Sequence, residues 1–285
     1  MEKSHAPTSA DLTPLPGKQT GAEVTALVGL MQRLLAPGGC PWDREQTLAT
    51  LIPYLIEETY EVVDAVAGGD VAEHCEELGD LLLQVVFQAE LRHAEGAFGI
   101  DDVARGIVAK LVRRHPHVFG DVKAQTSDQA LASWARLKAE EKAKKAQPAD
   151  KRPASALDGI PRSAPALLRA SRAGEKAGAV GFDFADAAGP RQKVTEELAE
   201  LDQALAAGEP RRVTEELGDT LFALVNLARK LGLDAESALR AATDRFAARF
   251  SHLETALAAQ GRSVRDAAPD EQERLWQAAK ALEHR

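Results

Sequence analysis

Glu57 and Glu61 stand four residues apart, Glu58 and Glu61 three apart, and further along the chain Glu77 and Asp80 are again three apart. On a helix, residues at these separations share a face, with Cβ atoms about 5–6 Å from one another. Two such helices laid side by side therefore bring four or five carboxylates together. Two bare carboxylates about 4 Å apart repel by about 4 kcal/mol at an effective dielectric of 20, and a bound cation reverses that penalty. A ligand set made only of oxygens, with no cysteine or histidine in the pattern, selects a hard ion such as Mg2+ or Mn2+ over zinc or copper. Magnesium keeps several waters and shares its shell with phosphate oxygens, so the implied substrate is a phosphate compound. The plain alternative for a single Glu-Glu-x-x-Glu string is a solvated helix face.

A duplication favours the metal reading. Shifted by 139 residues, Glu57-Glu58-Thr59-Tyr60-Glu61 falls on Glu196-Glu197-Leu198-Ala199-Glu200, and Glu76-Glu77-Leu78-Gly79-Asp80 falls on Glu215-Glu216-Leu217-Gly218-Asp219, with no gap between the blocks. Residues 57 to 89 hold fourteen identities at this offset. A face that merely meets solvent has no reason to keep both acidic blocks at fixed separation. Gly79 and Gly218 point the same way, because a glycine inside a helix costs about 1 kcal/mol relative to alanine and is expected where backbones approach closely.

The flanks repeat with small shifts: Trp42-Asp43 against Phe182-Asp183 at 140, Lys110 and Arg114 against Arg245 and Arg249 at 135, and Trp134 and Lys138 against Trp276 and Lys280 at 142. Each basic pair is spaced i, i+4 and suits a triphosphate gripped from the side opposite the metal; a surface basic pair is the other reading. The Trp/Lys pairs suit a base stacked on the indole with the ammonium reaching a phosphate, although a tryptophan on an amphipathic helix more often packs in a core. Phe182 and Phe184 are read as packing residues, with a base pocket as the second reading. His115-Pro116-His117 lacks further spaced ligands for zinc and is taken as a loop or helix end.

The elements that must position these residues are helical. Leu78, Leu81, Leu82, Val85 and Ala89 form one apolar stripe, as do Leu217, Leu221, Leu224, Val225 and Ala228. Gly68-Gly69-Asp70 and Gly208-Glu209-Pro210 mark short turns between helices that then pack antiparallel. The expected fold class is all-α, a tandem duplication of a four- to five-helix unit. Residues 1–20 form a flexible tail, 21–145 the first helical domain, 146–160 a linker after a Lys/Glu/Ala helical tail, and 161–285 the second domain.

Composition sets the remaining bounds. The 285 residues, 45% hydrophobic and 28% charged, suffice for two globular domains. Only Cys40 and Cys75 occur, without zinc spacing, so a disulfide framework is not expected and a reducing, cytoplasmic compartment is. No membrane span or signal segment is expected. The net charge of −9 disfavours nucleic acid as a partner.

Glu57-Glu58-x-x-Glu61 with Glu77-x-x-Asp80, repeated as Glu196-Glu197-x-x-Glu200 with Glu216-x-x-Asp219, resembles the signature of the MazG nucleoside-triphosphate pyrophosphohydrolases. GCPWDREQT (39–47), RRHPHVFGD (113–121) and AVGFDF (179–184) resemble the family's flanking blocks. The resemblance implies an all-α fold that forms a homodimer, and Mg2+-dependent cleavage of ribo- and deoxynucleoside triphosphates between the α and β phosphates, giving monophosphate and pyrophosphate. The implied role is nucleotide-pool housecleaning or stress regulation. Two-unit members of the family are usually credited with catalysis in the second unit. On that reading Glu197, Glu200, Glu216 and Asp219 hold the metal and, with Glu196 as base toward the attacking water, form the catalytic set. Glu58, Glu61, Glu77 and Asp80 form a second metal set. Lys193, Arg245, Arg249, Trp276 and Lys280, with Lys110, Arg114, Trp134 and Lys138 in the first unit, bind substrate. Two other readings compete: a nucleotide-binding regulatory module with one or both units silent, and a di-iron bundle. The latter wants Glu-x-x-His from two helices; Glu90 with His93 is the candidate in the repeated region, and Arg229 and Gly232 stand at the equivalent places.

Overall fold

A computed structural model describes residues 21–120, 126, 127, 129, 130, 133, 134, 136, 137, 141 and 155–282, and no strand occurs among them. The expected N-terminal tail, Lys138 and residues 146–154 of the expected linker lie outside the described residues. The chain divides into two compact units, 1–147 and 148–285.

The first unit runs through α1 (Ala22–Leu35), α2 (Pro41–Glu45), α3 (Leu48–Gly68), α4 (Val71–Ala94), α5 (Ile100–Arg114) and α6 (Pro116–Phe119). Thr47 opens α3 with a reciprocal cap: its Oγ1 accepts from Thr50 N at 3.2 Å while Thr50 Oγ1 accepts from Thr47 N at 2.8 Å. Gly69, at φ 76°, ends that helix in the left-handed conformation that glycine adopts without steric cost. Asp70 then caps α4, its Oδ1 accepting from Ala72 N at 2.8 Å and Glu73 N at 3.2 Å. This short connection folds α4 back along α3. Met31, Leu51, Val86 and Phe87, each at most 3% exposed, form the core where α1, α3 and α4 meet.

The second unit repeats the plan with α7 (Ala166–Gly178), α8 (Ala188–Ala207), α9 (Pro210–Lys230), α10 (Ala235–Ala258), a 3-10 turn (Val264–Asp266) and α11 (Pro269–Leu282). Gly208, at φ 69°, and Pro210 at the first turn of α9 make the corresponding hairpin. Leu253, Leu257 and Ala267, with Val264 and Leu275, join α10 to α11.

Two sequence expectations need correction. The apolar stripes are core only in part: Ala89 and Val225 are buried, but Leu78, Leu82 and Val85 on α4, and Leu217, Leu221 and Leu224 on α9, are 36–49% exposed. The buried side of α4 comprises Gln84, Val86, Phe87, Ala89 and Glu90. Periodicity groups residues on a face, but it does not say whether that face meets the chain's own core or another chain. Nor do Gly79 and Gly218 mark a close approach within the chain, because a Cβ at either would meet nothing within 4 Å.

Candidate active site

Each helical hairpin gathers carboxylates where its two helices face each other. Glu58 of α3 with Glu77 and Asp80 of α4, and Glu197 and Glu200 of α8 with Glu216 of α9, each bring one oxygen per residue within 4.8 Å of the others. Partial burial, a carboxyl–carboxyl hydrogen bond with Glu61 and the charges of Asp80 and Glu77 push Glu58 up to about 7. Glu77 is raised by partial burial and then by Glu61 and Asp80, and Glu200 by partial burial and then by Glu216 and Glu197. Carboxyls crowded enough to be raised above their usual range fit a hard divalent cation, which turns their mutual repulsion into attraction. Glu61 and Asp219 stand outside the two tight triplets: Glu61 bonds to Glu58, and Asp219 lines a cavity beside Glu197.

In the second unit, side-chain cations already touch the cluster. Lys193 Nζ lies 2.6 Å from Glu197 Oε1 and 3.0 Å from Glu196 Oε1, and these two carboxylates hold its proton more tightly than usual. Arg212 Nε donates to Glu216 Oε1 at 3.2 Å. The duplication register puts Tyr54 where Lys193 stands and Glu73 where Arg212 stands, so the first cluster has one anion more and two cations fewer at these positions. Arg212 escaped the sequence reading; the sign reversal at 73/212, in the divergent run just before the second acidic block, was its signal.

Beside the second cluster opens a cavity of about 650 Å³, whose lining joins Lys193, Glu197 and Asp219 to Phe182, Phe184, Phe222, Pro190 and Ala223. That size falls in the range of small-molecule sites, about 300–1,000 Å³. Phe182, 83% exposed, is thus a wall and not a packing residue. In the register, Leu51 and Phe87 occupy the places of Pro190 and Asn226, and both are core residues packed with Met31. Bulky side chains thus stand in the first unit where smaller or polar ones line the cavity in the second. A hollow of about 350 Å³ in the first unit is lined by Leu48, Leu55, Val85, Gln88, Ala89, Arg92, Phe98 and Val103, and by none of its cluster carboxylates.

Asp183, Asn226 and Arg229 also line the cavity and were missed in the sequence. Arg229 and Lys230 donate to Asp183 and hold its carboxyl well below the usual range. For Asn226 and Arg229 the signal was divergence between the repeats, with Phe87 and Glu90 standing opposite them; Asp183 was marked by its match to Asp43.

The other expected substrate residues do not line this cavity. Arg245 and Arg249 lie on α10, and Trp276 and Lys280 on α11. Arg249 sits over the Trp276 ring at 5.7 Å, and Phe246 packs on the same ring at 5.2 Å. In the first unit Arg114 sits 5.3 Å over Trp134 and donates to Glu141 Oε2 from Nη2 at 2.7 Å and Nε at 3.1 Å. Arg113 and Arg114 lower Glu141 to about 2. Lys110 lies on α5, one turn before Arg114.

The MazG nucleotide pyrophosphohydrolase domain matches residues 46–119 and 190–253, stretches that contain the two carboxylate clusters. The chain is 46% identical over 264 residues to the nucleoside triphosphate pyrophosphohydrolase of Escherichia coli K12, covering 92% of this chain and 98% of that protein. It is 43% identical over 263 residues to the nucleoside triphosphate pyrophosphohydrolase/pyrophosphatase MazG of Thermotoga maritima, again covering 92% of this chain and 98% of that one.

Proposed function

The chain belongs to the MazG nucleotide pyrophosphohydrolase family, and we propose that its second unit hydrolyses ribo- and deoxynucleoside triphosphates to the monophosphate and pyrophosphate. The observation that carries this reading is the cavity that joins Lys193, Glu197 and Asp219 to an aromatic wall. Mg2+, or Mn2+ in its place, held by Glu197, Glu200, Glu216 and Asp219, would supply charge neutralisation to the phosphates and an activated water.

The protein's own groups do the rest. Phe182, Phe184 and Phe222 pack the nucleoside and exclude water from it. The Lys193 ammonium, kept protonated by Glu197 and Glu196, offers phosphate oxygens a charge-assisted hydrogen bond. Glu196, half-exposed and within 3.0 Å of Lys193, takes a proton from the attacking water. Arg245, Arg249 and Lys280 complete the phosphate-binding set, with Trp276, read as the base-stacking residue, packed beneath Arg249. The first cluster, with Lys110, Arg114, Trp134 and Lys138, keeps cation binding without efficient turnover.

The exposed stripe on α8 and α9, with Leu198, Leu217, Leu221 and Leu224 each 44–49% exposed, is the face we assign to a homodimer. The open space at Gly218 lets a second backbone come close. Both cysteines are free, which suits nucleotide-pool housecleaning in a reducing cytoplasm. No described helix is long and apolar enough to cross a membrane.

The test is incubation of the protein with each nucleoside triphosphate and Mg2+, followed by separation of products. Monophosphate with pyrophosphate is the expected result; diphosphate with orthophosphate would assign a different hydrolysis. Glu200→Ala and Asp219→Ala should abolish turnover while the far-ultraviolet circular dichroism stays helical.

A further inference from the structure

Besides Lys193, Glu197 and Asp219, the second unit's cavity is lined by three polar side chains, Asp183, Asn226 and Arg229. They are bonded into one assembly. Arg229 donates from Nη2 to Asp183 Oδ1 at 2.5 Å and from Nη1 to Oδ2 at 3.1 Å. Lys230 Nζ donates to Oδ2 at 2.8 Å, and Phe184 N donates to Oδ1 at 2.8 Å. The same guanidinium donates from Nη2 and Nε to Asn226 Oδ1 at 3.2 and 3.4 Å. Asn226 is 7% exposed. A Cβ at Gly174 would stand 2.7 Å from Asn226 Oδ1 and 2.8 Å from Arg229 Nε, so glycine there leaves the assembly its room.

This bonding decides which end of the amide faces which way. A free asparagine can flip to present either its carbonyl or its NH2. Here the oxygen faces a guanidinium that has only donors, so the NH2 is turned away from it. One amide hydrogen goes to Phe222 O at 3.2 Å, and the other has no partner among the described residues. The cavity wall therefore offers a fixed donor where an adaptable group would otherwise stand.

We propose that Asn226 is a specificity-determining residue that donates from Nδ2 to the nucleobase. The second unit then prefers bases with a ring keto oxygen at that edge (uracil, thymine, guanine, hypoxanthine) to bases with an exocyclic amino group there (cytosine, adenine). Asp183 and Arg229 are positioning residues that hold the amide in this sense. The inference rests on the reading of this cavity as the nucleoside site. An amino group set against the fixed donor leaves hydrogens unpaired beside Asn226, which is 7% exposed, and this costs more than the loss of one hydrogen bond. The register is consistent with this: the first unit keeps Asp43 opposite Asp183 but has Phe87 and Glu90 opposite Asn226 and Arg229, so the reader occurs only in the unit with the cavity.

The experiment compares kcat/KM for UTP against CTP and for ITP against ATP, two pairs that differ in a keto or amino group and in the proton on the ring nitrogen beside it. The wild-type protein should favour the keto member about tenfold, roughly one buried hydrogen bond. Asn226→Asp, which puts a carboxylate oxygen where the NH2 was, should abolish or reverse the preference. Asp183→Asn should bring both ratios toward one by releasing Arg229; a purely structural role would lower both members of a pair alike and leave the ratio in place. A wild-type ratio within twofold, or a ratio unchanged in Asn226→Asp, overturns the inference. Equal turnover of all four triphosphates sinks the specificity alone, whereas absence of monophosphate and pyrophosphate from every one of them sinks the proposed function and the inference with it.

Discussion

Glu58 carries a pH signature that falls near neutrality. Its folded value, about 7, lies above the ordinary 4.5, so its contribution to stability is fully present below about pH 4.5 and is lost as pH rises through about 7. Glu200 is shifted in the same direction in the second unit. A divalent cation needs these groups ionised, so binding releases protons near neutrality. Mg2+ should therefore raise the melting temperature more at pH 8 than at pH 6, and equal increments at the two pH values would contradict the metal assignment. Lys193 competes for the same carboxylates. Lys193→Met should lower kcat/KM by about 10²-fold, as loss of one preorganised charge typically does, yet tighten Mg2+ binding in calorimetry by removing the ammonium 2.6 Å from Glu197. The carboxylates were legible in the sequence because helical spacing and duplication both mark them. Asn226 and Arg229 were not, because they acquire meaning only once the bulky Leu51 and Phe87 of the first copy are known to be core and the second copy to be hollow at those places.

The hairpins were legible for a local reason: Gly69 and Gly208 sit at positive φ, where other residues are strained, and Asp70 and Pro210 each suit a helix start. The orientation of the helices' apolar faces was not, since a stripe reads the same whether it meets a core or a partner. That ambiguity makes a measurable difference. Leu221, 47% exposed on α9, has little to lose within its own chain, while a glutamate there would put a charge into an apolar homodimer face. If the proposed homodimer forms through this face, Leu221→Glu should give a helical monomer by light scattering at the concentration where the wild-type chain is measured as a dimer; a dimer that survives the substitution would place the interface elsewhere. Leu51→Ala should do the opposite, destabilising the first unit by about 2–5 kcal/mol in denaturant titrations through a core cavity without changing the oligomeric state.

At the scale of the whole molecule, one helical plan occurs twice with its acidic blocks kept and its interior changed, and on the proposed function this would separate cation binding from nucleotide hydrolysis. Residues 20–145 alone should bind Mg2+ in calorimetric titration but release no pyrophosphate, because Met31, Leu51 and Phe87 fill the core of that unit. For the second unit the position of the cut matters. Ala156 and Leu157 line the cavity, and Lys176 Nζ donates to Asp158 O at 2.6 Å, so the segment read from sequence as the end of a linker forms part of the wall. Residues 148–285 alone should fold, dimerise and hydrolyse nucleoside triphosphates with a KM near that of the full chain. Residues 161–285 keep every proposed metal ligand and Lys193 but lack two apolar wall residues and the anchor for Lys176, so their KM should rise several-fold while kcat changes less, as expected when nucleoside packing is lost and the phosphate chemistry is kept. Steady-state kinetics on the two fragments decides this: equal KM values would remove residues 156–158 from the substrate site, and a fall confined to kcat would place them against the reacting phosphates instead.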